Sequence, residues 1–340
     1  MKVLQKEIPL YLLQLDALHR RLPPSHRAKR IVENDLRNYY AGYKGEQSME
    51  YYLSFLNEEA VIIPGLRLKG KSDFYFQIDR IVITKKYILI FEVKNFSGTV
   101  IYDKTHDQFI RDNGEVKEVF TNPILQLGRQ ASQFKSFLSS NNLPNLPILS
   151  YVVFANSNLF ITTIPENIKL PPNIIKSENV PFILKNIESK YRTNILSSKE
   201  LKKMDKLLRK ANEPYRAENF LLYYSIDYND IIKGIICPEC LTLPIERAEK
   251  KWFCPSCKKT DRSIYRYSLN DYYLIFGIEA RNSSIRSFFD IDSPYTIFRI
   301  LKRYKYIGTS KKNRVYLLEY DHNYCIFEYP SLKKEVGGQT

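Results

Sequence analysis

The sequence predicts an α/β protein: a central sheet flanked by helices, then a small cysteine-rich module, then a helical C-terminal unit with a basic surface. Three observations carry the prediction. Residues 74–93 contain two strand-prone runs, FYFQIDRIVIT and YILIFEV, on either side of Lys85-Lys86. The run ILSYVVFA (148–155) is apolar without alternation, as strands covered on both faces are. Segments of helical period lie between and around these runs, an order that suggests layers of helix packed on a sheet.

The elements follow in chain order. Residues 1–40 read as a helical extension, broken by Pro23-Pro24. A helix is expected from about Gly45 to Leu56, with Met49, Leu53 and Leu56 on one face. Val61 to Ile63 reads as a short strand, and Thr99 to Tyr102 as another. Thr121 or Asn122 caps a helix with Pro123 in its first turn and Ile124, Leu127, Ala131, Phe134 and Leu138 as its apolar positions. Residues 161–196 are expected to be irregular, with Pro165, Pro171, Pro172 and Pro181. An amphipathic helix follows from about Ser197 to Ala211 on Leu201, Met204, Leu207 and Leu208. The expected division is a helical extension at 1–40, an α/β domain at 41–160, a helical extension and linker at 161–234, the cysteine module at 235–260 and a last domain at 265–330. Cys325, in YCIFEY, is expected to be plain core of an apolar strand.

Composition narrows the class. The chain has 340 residues, 44% of them hydrophobic and 26% charged, which excludes a disordered or collagen-like protein. Its most apolar stretch, 78–93, is interrupted by Asp79, Arg80, Lys85, Lys86 and Glu92, so no membrane span is expected. The N-terminus has no small-residue cleavage site, and the expected compartment is the cytoplasm. Lys and Arg number 52 against 37 Asp and Glu, a net charge of +15, which makes a polyanion, nucleic acid above all, a plausible partner. An AT-rich codon bias toward Lys, Ile, Asn and Tyr would produce the same excess.

The hairpin at 74–94 concentrates charge. If Lys85-Lys86 is a two-residue turn, paired residues sum to 171, and Asp79 faces Glu92 on one side of the sheet. Lys94, two residues on, shares that side. Glu46 falls on the face that its helix should bury. Carboxylates crowded together or buried are costly unless paired or metal-bound, and Mg²⁺ (or Mn²⁺) suits one or two carboxylates with water and phosphate. A solvated salt-bridge cluster at a sheet end is the plainer reading of the same spacing.

The cysteines read more sharply. C237-P-E-C240 and C254-P-S-C257 have the spacing of a four-thiolate site for one structural Zn²⁺, and the segment resembles a zinc ribbon. Two disulfides or a redox pair are the other readings. In the C-terminal unit, a helix on Ile285, Phe288 and Phe289, a turn at Asp290–Pro294 and a helix on Ile297, Ile300, Leu301 and Tyr304, ended by Ile307-Gly308, precede the basic loop SKKNR and the strand VYLLEY. This resembles a winged helix-turn-helix. It implies Arg299, Lys302 and Arg303 on the reading helix, and Lys311, Lys312 and Arg314 on the wing, as contacts to nucleic acid, DNA in the first instance. A dimerisation or protein-binding module would show the same pattern.

A family resemblance joins the acidic residues. G-Y-K-G-E46-Q-S-M-E, Q-I-D79-R, F-E92-V-K94-N-F-S-G98, T-N122-P123-I-L-Q126 and Y-V-V-F154 occur in order. Together they resemble the NERD (nuclease-related) domain, a branch of the restriction-endonuclease-like PD-(D/E)XK superfamily, over about residues 40–160. The resemblance implies a mixed sheet flanked by helices, Glu46, Asp79 and Glu92 as the acidic set, and Lys94 as the catalytic lysine. Gln126 matches a recurrent glutamine on the helix after the sheet, and Arg80 stands where relatives often have histidine. The expected function is Mg²⁺-dependent hydrolysis of nucleic-acid phosphodiesters in DNA processing, repair or defence. The alternative is a non-catalytic DNA-binding or regulatory protein that uses the fold as an interaction platform. Oligomeric state is not legible in the sequence.

Overall fold

The computed structural model describes residues 7–71, 74–166, 168–215, 220–248, 251–310 and 313–327. In chain order the elements are α1 (Leu10–Arg21), α2 (Lys29–Leu53), β1 (Ala60–Lys69), β2 (Tyr75–Thr84), β3 (Ile88–Lys94), β4 (Thr99–Asp103), β5 (Gln108–Asp112), β6 (Lys117–Phe120) and α3 (Pro123–Ser140). Then come β7 (Ile148–Phe154), β8 (Phe160–Ile164), β9 (Ile174–Lys176), α4 (Val180–Lys190), α5 (Ser198–Ala211) and α6 (Phe220–Tyr223). The chain ends with β10 (Glu246–Ala248), β11 (Lys251–Phe253), β12 (Thr260–Asp261), α7 (Tyr265–Phe276), β13 (Glu279–Ala280), α8 (Asn282–Phe289), α9 (Pro294–Leu301), β14 (Lys305–Ile307) and β15 (Val315–Leu317). The chain forms two compact units: residues 40–215, and residues 8–39 together with those from 216 onward. The boundary falls within α2, so the first unit is an insertion in the second.

The inserted unit has a mixed five-stranded sheet in the order β1–β2–β3–β7–β9. The first three strands run antiparallel, while β7 lies parallel to both β3 and β9. Every residue of β3 before Lys94 is buried, because helices cover both faces. On one face Ile81, Ile83, Ile88 and Ile90 pack with Leu127 and Phe134 of α3 and with Leu201 and Met204 of α5. On the other, Val82, Leu89 and Phe91 pack with Met49 and Leu53 of α2 and with Leu184 of α4. A second sheet, β6–β5–β4–β8, completes the unit. Its strands β5 (QFIRD) and β6 (KEVF) are short and polar, which obscures period-two patterning in the sequence. Strands β8 and β9 and helix α4 thus occupy the stretch expected to be irregular.

Other expectations needed adjustment. The helix expected at 45–56 is the last part of α2, which runs unbroken from Lys29. Val61–Ile63 is only part of a ten-residue strand that passes through Pro64-Gly65. The Lys85-Lys86 turn closes without positive φ at either lysine. The Thr84 hydroxyl organises it instead, accepting from the N–H groups of Lys86 (3.1 Å) and Tyr87 (3.0 Å). Pairs then sum to 171 from Ile83↔Ile88 to Arg80↔Phe91, where the ladder stops. There alternation breaks as well. Ile78 and Ile81, three residues apart, join the same core, and so do Ile63 and Leu66 on β1. Gly65, at φ 59°, supplies the positive-φ residue at this break.

The second unit is held by a buried ionic knot. Asp271 of α7 binds Arg20 (2.5 Å) and Arg21 (2.7 Å) of α1. The fully buried Arg21 also donates to the carbonyls of Ile232 (3.0 Å) and Gly234 (3.1 Å) and lies over the Phe288 ring at 4.4 Å. The α7–β13–α8–α9–β14–β15 order, with its sheet β13–β15–β14, is a winged-helix topology. The second helix of the motif ends at Leu301, so the Ile307-Gly308 expected to terminate it closes a strand instead. Cys325 is half-buried and lies outside any strand. Among the described residues, no helix is long and apolar enough to cross a membrane.

Asp271 pairs with two guanidinium groups in a buried site, with Asp16 as the second carboxylate on Arg20, so Asp271→Ala should cost about 3–5 kcal/mol. Urea unfolding of the full chain, followed by Trp252 fluorescence, is expected to show the second unit melting early.

Candidate functional site

At the break in β2 the side chains meet as follows. Because β3 alternates, the Val93 N–H points to the same edge as that of Phe91, beyond the end of the ladder. Asp79 turns its carboxylate across this strand end and accepts from it (2.9 Å). Glu92, 2% exposed, places its carboxylate next to Asp79. Burial first, then the charges of Glu92 and Glu46, push the Asp79 carboxyl well above its ordinary range, against the pull of the Val93 N–H and Lys94.

Each oxygen of Glu92 is held. Oε1 accepts from Lys94 Nζ (2.6 Å) and Oε2 from Gln130 Nε2 (2.7 Å). Lys94 Nζ also donates to Gln126 Oε1 (3.3 Å). The two glutamines lie one turn apart on α3. That helix starts where it does because Asn122 Oδ1 accepts from the N–H of Ile124 (2.9 Å) and Pro123 occupies the first turn. Gln130 is buried, and its Nε2 bridges to the Gln77 carbonyl at 2.9 Å. Sequence reading missed Gln130; its i+4 spacing from Gln126 was the available signal.

Glu46 arrives on α2. Gly45 permits the approach: a Cβ there would lie 2.5 Å from that of Asn95. Asn95 donates to the Ala41 carbonyl (2.8 Å), and Arg80, fully buried, to that of Glu46 (2.7 Å). Helix α2 is thereby pinned to the strand end, and Glu46 joins the cluster as a half-buried Coulombic neighbour of Asp79. Carboxylate oxygens and an ammonium gathered beside a strand end form a donor set suited to a hard cation and a phosphate.

The second constellation is sulfur. The Sγ atoms of Cys237, Cys240, Cys254 and Cys257 all lie within 4.8 Å of one another. A tetrahedral ion with bonds of about 2.3 Å needs sulfur separations of about 3.8 Å, so the set could hold zinc. The two halves are copies. The N–H of Leu241 binds the Cys237 carbonyl and that of Lys258 binds the Cys254 carbonyl, both at 2.9 Å. Leu241 (φ 62°) and Lys258 (φ 63°) take the left-handed conformation that each tight loop requires. Burial pushes the Cys237 thiol up to about 12. Burial also acts upward on Cys254, but the N–H groups of Cys257 and Ser256 and the neighbouring thiols bring it down to about 6. The ribbon sheet β10–β11–β12 has Trp252 buried beneath it.

The basic residues divide. Arg299 and Lys302 are exposed on and just after α9. Arg303 binds the Tyr265 hydroxyl, and Arg314 lies half-buried over the Tyr306 ring at 4.2 Å. Lys311 and Lys312 lie outside the described residues.

Residues 41–155 match the family model of NERD, the nuclease-related domain. Neither the curated proteins nor the solved structures searched gave a match. The matched segment contains Glu46, Asp79, Glu92, Lys94, Gln126 and Gln130. It ends before β9, α4 and α5, which complete the sheet and its two covering layers.

Purified, reduced protein is expected to carry one Zn²⁺ per chain by elemental analysis. Cys240→Ser should release it and open residues 235–260 to protease, since a module with so small a core depends on metal to fold.

Proposed function

We propose that residues 40–215 form a divalent-cation-dependent phosphodiesterase acting on nucleic acid, with the second unit as the part that grips the substrate. The observation that carries this reading is the crowding of Asp79 and Glu92 at a strand end, with Lys94 beside them. The match of residues 41–155 to the nuclease-related domain supports it. Crowded carboxylates repel, and a desolvated one repels more; a bound cation offsets both costs.

Asp79 and Glu92 would hold Mg²⁺ or Mn²⁺, which would supply Lewis acidity at a phosphate oxygen and a bound water more acidic than bulk water. The chain's own groups do the rest. The Val93 N–H fixes one oxygen of Asp79. Gln130 fixes one oxygen of Glu92, leaving the other toward Lys94. Lys94 then orients the attacking water and offsets charge gathering on the phosphate. Gln126 accepts from the ammonium and sets its direction. Glu46, further out, adds negative potential that favours cation entry.

Arg299 and Lys302, with Arg303, Lys311, Lys312 and Arg314, are the proposed contacts of the second unit with nucleic acid, DNA in the first instance. Arg303 and Arg314 would leave their tyrosine partners to reach phosphate, so they should contribute less than Arg299 and Lys302.

The test is incubation of pure protein with labelled DNA and RNA, in Mg²⁺, Mn²⁺ or chelator. Asp79→Ala and Glu92→Ala should abolish cation-dependent cleavage while circular dichroism stays unchanged. Lys94→Ala should lower turnover by about 10²–10⁴-fold. Equal cleavage by the wild type and these variants would assign the activity to a contaminant.

Gln130→Met keeps the volume and removes the donor to Glu92. It should weaken Mn²⁺ binding by about 10–100-fold, measured by electron paramagnetic resonance of the free ion. Gln133→Met, at an exposed position of the same helix, should leave that binding unchanged.

A further inference from the structure

One arginine outside the winged helix is tied to its reading helix. Arg247 stands on β10, directly opposite Trp252 on β11, with its guanidinium 5.9 Å from the indole ring. Its Nη1 donates to Thr296 Oγ1 (2.9 Å) in the first turn of α9. Thr296 is three residues before Arg299, so the two are neighbours on the helix surface, their Cβ atoms about 5–6 Å apart. The ribbon arm therefore delivers a second guanidinium within one turn of Arg299.

The surroundings favour a polyanion. From Ser293 to Leu318 there is no Asp or Glu, while Arg299, Lys302, Arg303, Lys305, Lys311, Lys312 and Arg314 fall in the same stretch. Tyr295, Arg299 and Lys302 follow one another at i, i+4 and i+7, and all three are exposed. Ile297, Ile300 and Leu301 are buried and fix which side of α9 faces outward. Two guanidinium groups one turn apart repel each other, and a row of phosphates converts that repulsion into attraction. A guanidinium carries five N–H donors, and Arg247 spends one of them on Thr296.

We propose that the ribbon arm and α9 form one composite surface for the backbone of duplex DNA, with Arg247 as a phosphate contact beside Arg299 and Lys302. Duplex DNA is the fitting occupant because an eight-residue helix with exposed basic residues enters a major groove about 12 Å wide, and flanking cations then meet the phosphates along its edge. Thr296 acts as a tether that orders the Arg247 side chain before binding. The proposal rests on nucleic acid being the partner of this unit, as argued above.

Fluorescence anisotropy of the full zinc-loaded chain with a labelled random 20-base-pair duplex, with neither Mg²⁺ nor Mn²⁺ added and over a range of KCl, tests it. Arg247→Ala should reduce the slope of log affinity against log salt by about 0.9, as Arg299→Ala should. The deficit of each variant should then grow about eightfold for every tenfold fall in salt. Lys259→Ala, on the ribbon but ion-paired with Glu239, should match the wild type. Wild-type slope in Arg247→Ala, alongside a reduced slope in Arg299→Ala, would overturn the composite surface and leave the nucleic-acid reading standing. A wild-type protein whose duplex binding is absent or insensitive to salt would overturn both.

Discussion

Where the β2–β3 ladder stops at Arg80 and Phe91, the Val93 N–H has no strand to bind, and Asp79 takes its place. A buried N–H left unpaired would cost about 1–3 kcal/mol, so this contact is close to obligatory. It draws one carboxylate onto the end of a strand that already carries Glu92. The remaining polar contacts answer that crowding: Lys94 on one oxygen of Glu92, Gln130 on the other, and Gln126 on the lysine. Even the placement of α2 depends on it, since Arg80, one residue after Asp79, points to the opposite layer and binds the Glu46 carbonyl. Arg80, in step with Val82, faces the helix that brings Glu46, while the interruption beside it turns Asp79 onto the Val93 N–H.

The second unit solves a different problem. Its first helix and its winged helix are separated by about 250 residues, and they close around Asp271, Arg20 and Arg21. The contact buries charge, which is favourable only because each guanidinium finds several acceptors. The entropic cost of closing so long a loop rises slowly with its length, and a folded insertion shortens the effective span further. The arrangement ties the N-terminal helix to residues far along the chain and leaves the nuclease-related segment as a self-contained insert with its own two-sided core.

The two units carry donor sets of opposite kinds. In the ribbon, four soft ligands close around one point and leave no open position, as a folding element requires. At the strand end, two hard carboxylates stand beside an ammonium, the set that the proposed hydrolysis would use. The Arg247–Thr296 contact links the ribbon to α9, so a metal that only shapes the ribbon also bears on how the basic surface is presented.

Much was legible without coordinates. The strands at 74–94 and 148–154, the capped helix at Pro123 and the two cysteine pairs follow from local rules: period, capping and ligand spacing. The sum of 171 follows from turn length alone, and the observed ladder has it. The five ordered motifs pointed to the nuclease-related domain that matches residues 41–155. Other features depended on residues far apart in the chain. The join of α1 to α7 rests on an ion pair that no window of sequence contains. The strands at 108–112, 117–120 and 174–176 are short and polar, and pairing partners rather than propensity decide them. Above all, regular alternation would have placed Asp79 opposite Glu92 within the ladder. Only the tertiary structure ended the ladder one residue earlier, because Gly65 and the matched breaks in β1 and β2 turn the sheet there. That break sets which backbone N–H Asp79 meets, and α3 brings Gln130 to the oxygen of Glu92 that Lys94 leaves open.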